Sequence, residues 1–305
     1  MYRPYILLLV TLLPIEALHG TAEGEDGPER SHHPVPAVEV GASLVGFVSW
    51  EPDNPPGSPA MFRHMGTGFL ATNTGWILTL EHVLASNPEG ATFSVLAFIG
   101  PNKVTELPVI EGPIYQPNID QSIGMALLKV GRVPPQLHPV AFGYNYTMAP
   151  DNTLNLTNGI YPGDEVGVYA TLQEILQTFP KRVSIIRPYV RKGIVSAISY
   201  YNEMESFYFL DLVGFSGYSG GPVFRWEDGG VIGIVTSLEA RQQQIEQEGS
   251  KNPVDTYWMH GVRAVPVNRC IQELLSRGEM VRFIDPNTGE RFQYSYANGR
   301  QPAGK

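Results

Sequence analysis

The run Gly217-Tyr218-Ser219-Gly220-Gly221-Pro222 sets one hydroxyl among three glycines, and an apolar stretch beginning Val223-Phe224 follows it. A nucleophile that attacks a carbonyl group needs a tight turn to expose it and backbone N–H groups beside it to receive the developing oxyanion. Glycine suits both needs, because it reaches dihedrals closed to other residues and keeps side chains out of the way. Of the seven histidines, His82 has the most organised surroundings. It follows Gly66-Thr67-Gly68-Phe69-Leu70 and Gly75-Trp76-Ile77-Leu78-Thr79, and it opens His82-Val83-Leu84. A histidine within reach of a serine can take its proton and pass it on. His64, His138 and His260 lack such a setting and read as structural. His32 and His33 lie in a polar stretch and read as part of a solvated tail.

The two motifs, in this order and 137 positions apart, resemble those of the chymotrypsin-like (trypsin-like) serine peptidases. Ile160–Tyr169, Arg191–Ile198 and Val231–Thr236 resemble strands of that family's second barrel, and Val262–Leu275 its last strand and C-terminal helix. The resemblance covers about residues 40–278. With one cysteine no internal disulfide can form, and the chain is similar to the disulfide-free bacterial type, such as the protease domain of high-temperature-requirement proteins. The resemblance implies a serine endopeptidase working through an acyl-enzyme. Ser219 would be the nucleophile and His82 the general base, on a helical turn facing the cleft between two barrels. The N–H groups of Gly217 and Ser219 would form the oxyanion hole. Val213, six residues before the nucleophile, would form an apolar pocket floor suited to small or medium apolar side chains, since a buried cation there would lack a partner. Thr236 and Ser237 would lie on the strand that pairs with substrate backbone.

The pattern breaks at one place. The family orients its histidine with an aspartate at the start of Asp-Ile-Ala-Leu-Leu, and this chain has Gly124-Met125-Ala126-Leu127-Leu128. Three alternatives stand. Asp120 reaches His82 if its loop folds back; the chain works as a Ser–His dyad; or it is an inactive pseudopeptidase that binds peptides as a module. A misoriented histidine costs about 10⁴-fold in turnover. Tyr218 stands where zymogen-activated members carry an aspartate that pairs with a new N-terminus, so no trypsin-type activation switch is expected. An α/β-hydrolase esterase is excluded, because it requires Gly-x-Ser-x-Gly between strand and helix with histidine last in the chain.

The elements that must hold these residues follow from composition and punctuation. Charged residues make up 17% of the chain, while glycine (32) and proline (26) are frequent. That mix favours many short strands joined by turns. The expectation is an all-β fold of two six-stranded antiparallel β-barrels with a short C-terminal helix at Asn268–Arg277. Tyr5–Leu13 is an apolar run broken by Pro14, which reads as a signal peptide over 1–22. A disordered leader over 23–39 follows. The barrels are assigned to 40–150 and to 151–280, the second including the helix, and 281–305 is a tail. A loop rich in Asn, Pro and Thr, about 143–160, separates the halves.

The net charge of −9 argues against a nucleic-acid partner. The expected partners are protein or peptide substrates, with no stable membrane insertion after signal cleavage and a secreted or periplasmic location. No cofactor is implied, and no His/Cys/Asp cluster has metal-ligand spacing. Cys270 reads as a small buried hydrophobe. Asn145-Tyr146-Thr147 and Asn155-Leu156-Thr157 are glycosylation acceptors only in a eukaryotic secretory setting.

Overall fold

The computed structural model describes residues 36–50, 62–85, 92–100, 103–118, 121–148, 154–178, 181–245 and 255–302. The signal-peptide expectation lies outside them, as does the leader up to residue 35. The first described element is a short helix, α1 (Pro36–Gly41), where the end of the leader and the start of the first barrel were expected, because Ala37 and Val40 turn inward onto the core.

Seven strands follow: β1 (Leu44–Trp50), β2 (Phe62–Leu70), β3 (Trp76–Leu80), β4 (Thr92–Gly100), β5 (Lys103–Leu107), β6 (Val109–Pro117) and β7 (Gly124–Val130). A second helix, α2 (Glu81–Ala85), leaves directly from β3. The strands form one curled sheet in the order β5-β4-β1-β2-β3-β7-β6, antiparallel throughout. All of β3 is buried.

The loop expected between the halves contains a hairpin, β8 (Asn145–Met148) and β9 (Leu154–Thr157). Next come β10 (Glu165–Thr178), β11 (Lys181–Tyr201), β12 (Met204–Asp211), β13 (Pro222–Arg225), β14 (Val231–Ile245) and β15 (Asp255–Pro266). They close a six-stranded barrel, β10-β11-β12-β15-β14-β13. This is the chymotrypsin-like double-barrel architecture, with its first barrel a curled seven-stranded sheet. The expected strand at Arg191–Ile198 is part of a longer element, since β11 pairs with β10 without interruption from Lys181 to Ile194.

After β15 the chain enters α3 (Asn268–Ser276), whose buried face is Cys270, Ile271, Leu274 and Leu275. This helix packs back on the first barrel: Cys270 Sγ lies 3.7 Å from Met125 Sδ, and Gln116 donates to Glu273 at 3.1 Å. The segment read as a tail is folded as β16 (Val281–Ile284), β17 (Arg291–Ser295) and β18 (Gly299–Pro302). Alternate residues Val281 and Phe283, then Phe292 and Tyr294, turn inward, which is the period-2 pattern of a half-buried sheet. Phe283 stacks on Phe292 and meets Phe142 from the inter-barrel segment.

Candidate active site

The β2–β3 hairpin ends in α2, and His82 is the second residue of that helix. Ser219 sits on the turn before β13. Both residues line one cavity of about 440 Å³, walled by Arg63, His64 and Met65 of β2, Phe215 and Ser216, and Val235 and Ser237 of β14. The first barrel therefore supplies the imidazole and the second the hydroxyl.

Backbone hydrogen bonds shape the serine turn. Tyr218 N–H donates to Phe215 O at 3.2 Å, Gly221 N–H to Tyr218 O at 2.9 Å and Gly220 N–H to Val235 O at 2.9 Å. The N–H groups of Gly217 and Ser219 take no backbone acceptor among the described residues. Gly217 and Gly220 have φ of +101° and +86°, open to glycine at little cost. A β-carbon at Gly220 would also lie 1.9 Å from Thr67 O, so space excludes other residues as well.

Strand β2 clamps this turn across the barrel interface. Thr67 N–H donates to Ser219 O at 2.9 Å, and Thr67 Oγ1 donates to Gly217 O at 2.8 Å. Thr171 joins the same network: its N–H donates to Thr67 Oγ1 at 2.7 Å, and its Oγ1 lies 3.0 Å from Thr67 Oγ1. His64 Nε2 is hydrogen-bonded to Thr171 Oγ1 at 2.8 Å, which joins the imidazole to the two threonines. Burial pushes His64 down to about 4, outweighing a backbone hydrogen bond at Gly66, so the ring is neutral at neutral pH. Thr67, Thr171 and His64 carried no role in the sequence reading. Their meeting depends on β2 crossing β10, which no local motif encodes.

The Ser219 hydroxyl donates to Thr236 O at 3.3 Å, and no hydrogen bond to His82 is formed in this conformation. Such contacts are often loose before substrate binds and tighten in the complex. Partial burial holds His82 below its ordinary value, with the Glu81 carboxylate opposing the shift. The imidazole is thus biased toward its neutral, proton-accepting form.

The remaining expected residues fare differently. Ser237 lines the cavity. Thr236 does not present its side chain: it is buried on a bulge between Val235 and Ser237, and Oγ1 donates to Arg263 O at 3.0 Å. Only its carbonyl reaches the site. Val213 is 57% exposed and does not line the cavity, whereas Phe215 does. Asp120 lies outside the described residues. Gly124, at the start of β7, has the side chain of Glu81 lying across it. Tyr218 is buried in the core of the second barrel, with Phe215 edge-on at 6.0 Å. Cys270 is fully buried, and burial, reinforced by the nearby Glu273, raises its thiol far above the ordinary value, so no thiolate is available for chemistry.

No curated protein matches the chain. Among solved structures, the HtrA-type protease AlgW with a decapeptide is similar at 18% identity and a TM-score of 0.48, covering 87% of this chain and 79% of that one. The MamO protease domain from Magnetospirillum magneticum, in its apo form, is similar at 16% identity and a TM-score of 0.41, covering 77% of this chain and 97% of that one. A family model described as a trypsin-like peptidase domain matches residues 66–234. That span runs from the glycine that opens the histidine hairpin to the strand after the serine turn, over more than half of the 305 residues, and the chain belongs to the trypsin-like peptidase family.

Proposed function

We propose that the protein is a serine endopeptidase that cleaves peptide bonds through an acyl-enzyme. Ser219 Oγ attacks the scissile carbonyl carbon while His82 takes its proton. The carbonyl oxygen becomes an oxyanion and accepts from the N–H groups of Gly217 and Ser219. Collapse breaks the C–N bond, and the imidazolium of His82 gives its proton to the leaving amine. Water then gives a proton to His82 and attacks the acyl ester. Ser219 departs with that proton returned. The observation that carries this reading is one cavity lined by both His82 and Ser219, beside two N–H groups on a glycine-built turn that take no backbone acceptor among the described residues.

The substrate is an extended protein or peptide segment lying along β14 at Ser237. Met65, Phe215 and Val235 in the cavity wall favour apolar side chains. The apolar run Tyr5–Leu13 supports export to a periplasmic or extracellular space. Among the described residues no helix is long and apolar enough to cross a membrane. For the group behind His82 the sequence offers Asp120, tested by Asp120→Asn.

A second reading, a peptide-binding pseudopeptidase, is favoured by Gly124 and by the Ser219 hydroxyl resting on Thr236 O. A fluorophosphonate probe separates the two. The wild type is expected to be labelled, and Ser219→Ala is not. A folded wild type that takes no label refutes the peptidase assignment.

A further inference from the structure

Glu81 directly precedes His82, and its carboxylate occupies the space above Gly124. A β-carbon at Gly124 would lie 1.8 Å from Glu81 Oε2 and 2.9 Å from both Cβ and Cδ of Glu81. The backbone does not demand glycine here, because Gly124 is absent from the positive-φ residues. Glycine supplies room, and a carboxylate fills it. Glu81 is solvent-exposed, yet its carboxylate lies against Gly124 instead of pointing away from the strand.

The surroundings of His82 contain no rival anion among the described residues. The titratable or charged groups lining the cavity are Arg63 and His64 from β2 and Tyr218 from the serine turn. His64 is neutral at neutral pH and Arg63 is a cation, so neither can stabilise an imidazolium. Burial lowers His82, and among the described residues Glu81 is the charge that acts on it in the opposite sense. A general base that must become a cation in the transition state gains from an adjacent fixed anion.

We propose that Glu81 is the positioning residue for His82: its carboxylate, housed over Gly124, orients the imidazole and stabilises the imidazolium formed when Ser219 gives up its proton. This rests on the Ser219–His82 reading. It moves the third carboxylate from the strand to the residue beside the histidine, and it assigns Gly124 as the space that receives it.

The first test is independent of turnover. The His82 ring is titrated by NMR, with its signals assigned from a His82→Asn spectrum, in the wild type, Glu81→Gln and Asp120→Asn. Glu81→Gln is expected to move the His82 titration to lower pH, and Asp120→Asn to leave it in place. An unmoved titration in Glu81→Gln overturns the proposal, as does a shift in Asp120→Asn alone.

The second test follows kcat and KM on a peptide substrate. Glu81→Gln should lower kcat by about 10²- to 10⁴-fold with KM changed less than about twofold. The acid limb of kcat/KM should move in the same direction as the ring titration. The double variant Glu81→Ala, Gly124→Asp returns a carboxylate to the same space. It should recover at least about tenfold over Glu81→Ala alone. A folded double variant with no recovery, or a Glu81→Gln enzyme of wild-type kcat, overturns the proposal. A wild type that neither turns over nor takes the serine probe refutes the peptidase reading alone, because the ring titration still decides whether Glu81 is paired with His82.

Discussion

The imidazole of His64 is held behind the serine turn, hydrogen-bonded to Thr171 while its ring abuts Gly217. Burial sets its folded value at about 4 against an ordinary 6.5. Between these two pH values the unfolded chain binds the proton and the folded chain does not. Stability therefore falls as pH drops from 6.5 to 4 and this loss levels off below 4. Thermal melts across that range are expected to show a smaller decline in His64→Asn than in the wild type. Parallel curves would contradict the assignment. His82 is lowered in the same sense, so the comparison with the variant isolates His64. Ser219 and His82 were legible in the sequence because glycines and apolar runs frame both. Glu81 was not, since an acid at the start of a helix carries no motif, and only the folded chain lays it over Gly124. Thr67 was hidden for a related reason. Its partners Thr171 and Gly217 lie over a hundred positions away.

Among the elements, the serine turn is the most constrained by its packing. At Gly220, φ is +86° and a β-carbon would meet Thr67 O at 1.9 Å. Gly220→Ala must therefore break the β2 clamp or distort the turn, with an expected cost of more than about 2 kcal/mol. Denaturant unfolding measures it, and a loss under about 0.5 kcal/mol would show that the turn yields easily. The hairpins around both motifs were readable from turn residues and apolar alternation. The strand ends were less so. Arg191–Ile198 was marked as a strand by itself, yet it continues an element that begins at Lys181, because the β10 register runs on through Gly193 opposite Val166. The region after Gly278 has few apolar residues. Its strands become visible only when Phe283 and Phe292 find Phe142 and each other.

For the whole molecule, His82 and Ser219 come from different barrels, so the cavity they share exists only while the barrels stay docked. The seam is held by β2 on the serine turn, by Gln173 donating to Phe62 O at 3.0 Å, and by α3 returning to the first barrel. Glu279, just past α3, accepts from the Trp76 indole at 2.9 Å and ties the segment leading to the C-terminal strands to the start of β3. Composition foretold the double barrel, but it held no sign of this C-terminal brace, which is a matter of which distant surfaces meet.

The burial of Tyr218 has a consequence for the conditions in which the protein can work. An aromatic ring in a barrel core holds the serine turn where an ion pair would be exposed to screening. Its hydroxyl is raised above the ordinary tyrosine value by burial, with Arg191 opposing, so it stays uncharged through neutral pH. Brine should leave the geometry of the turn intact, while cold should loosen it, because apolar burial weakens on cooling. Turnover in molar sodium chloride is expected to stay within about twofold of its low-salt value. A steep fall with salt, at constant substrate solubility, would show that charge holds the turn after all.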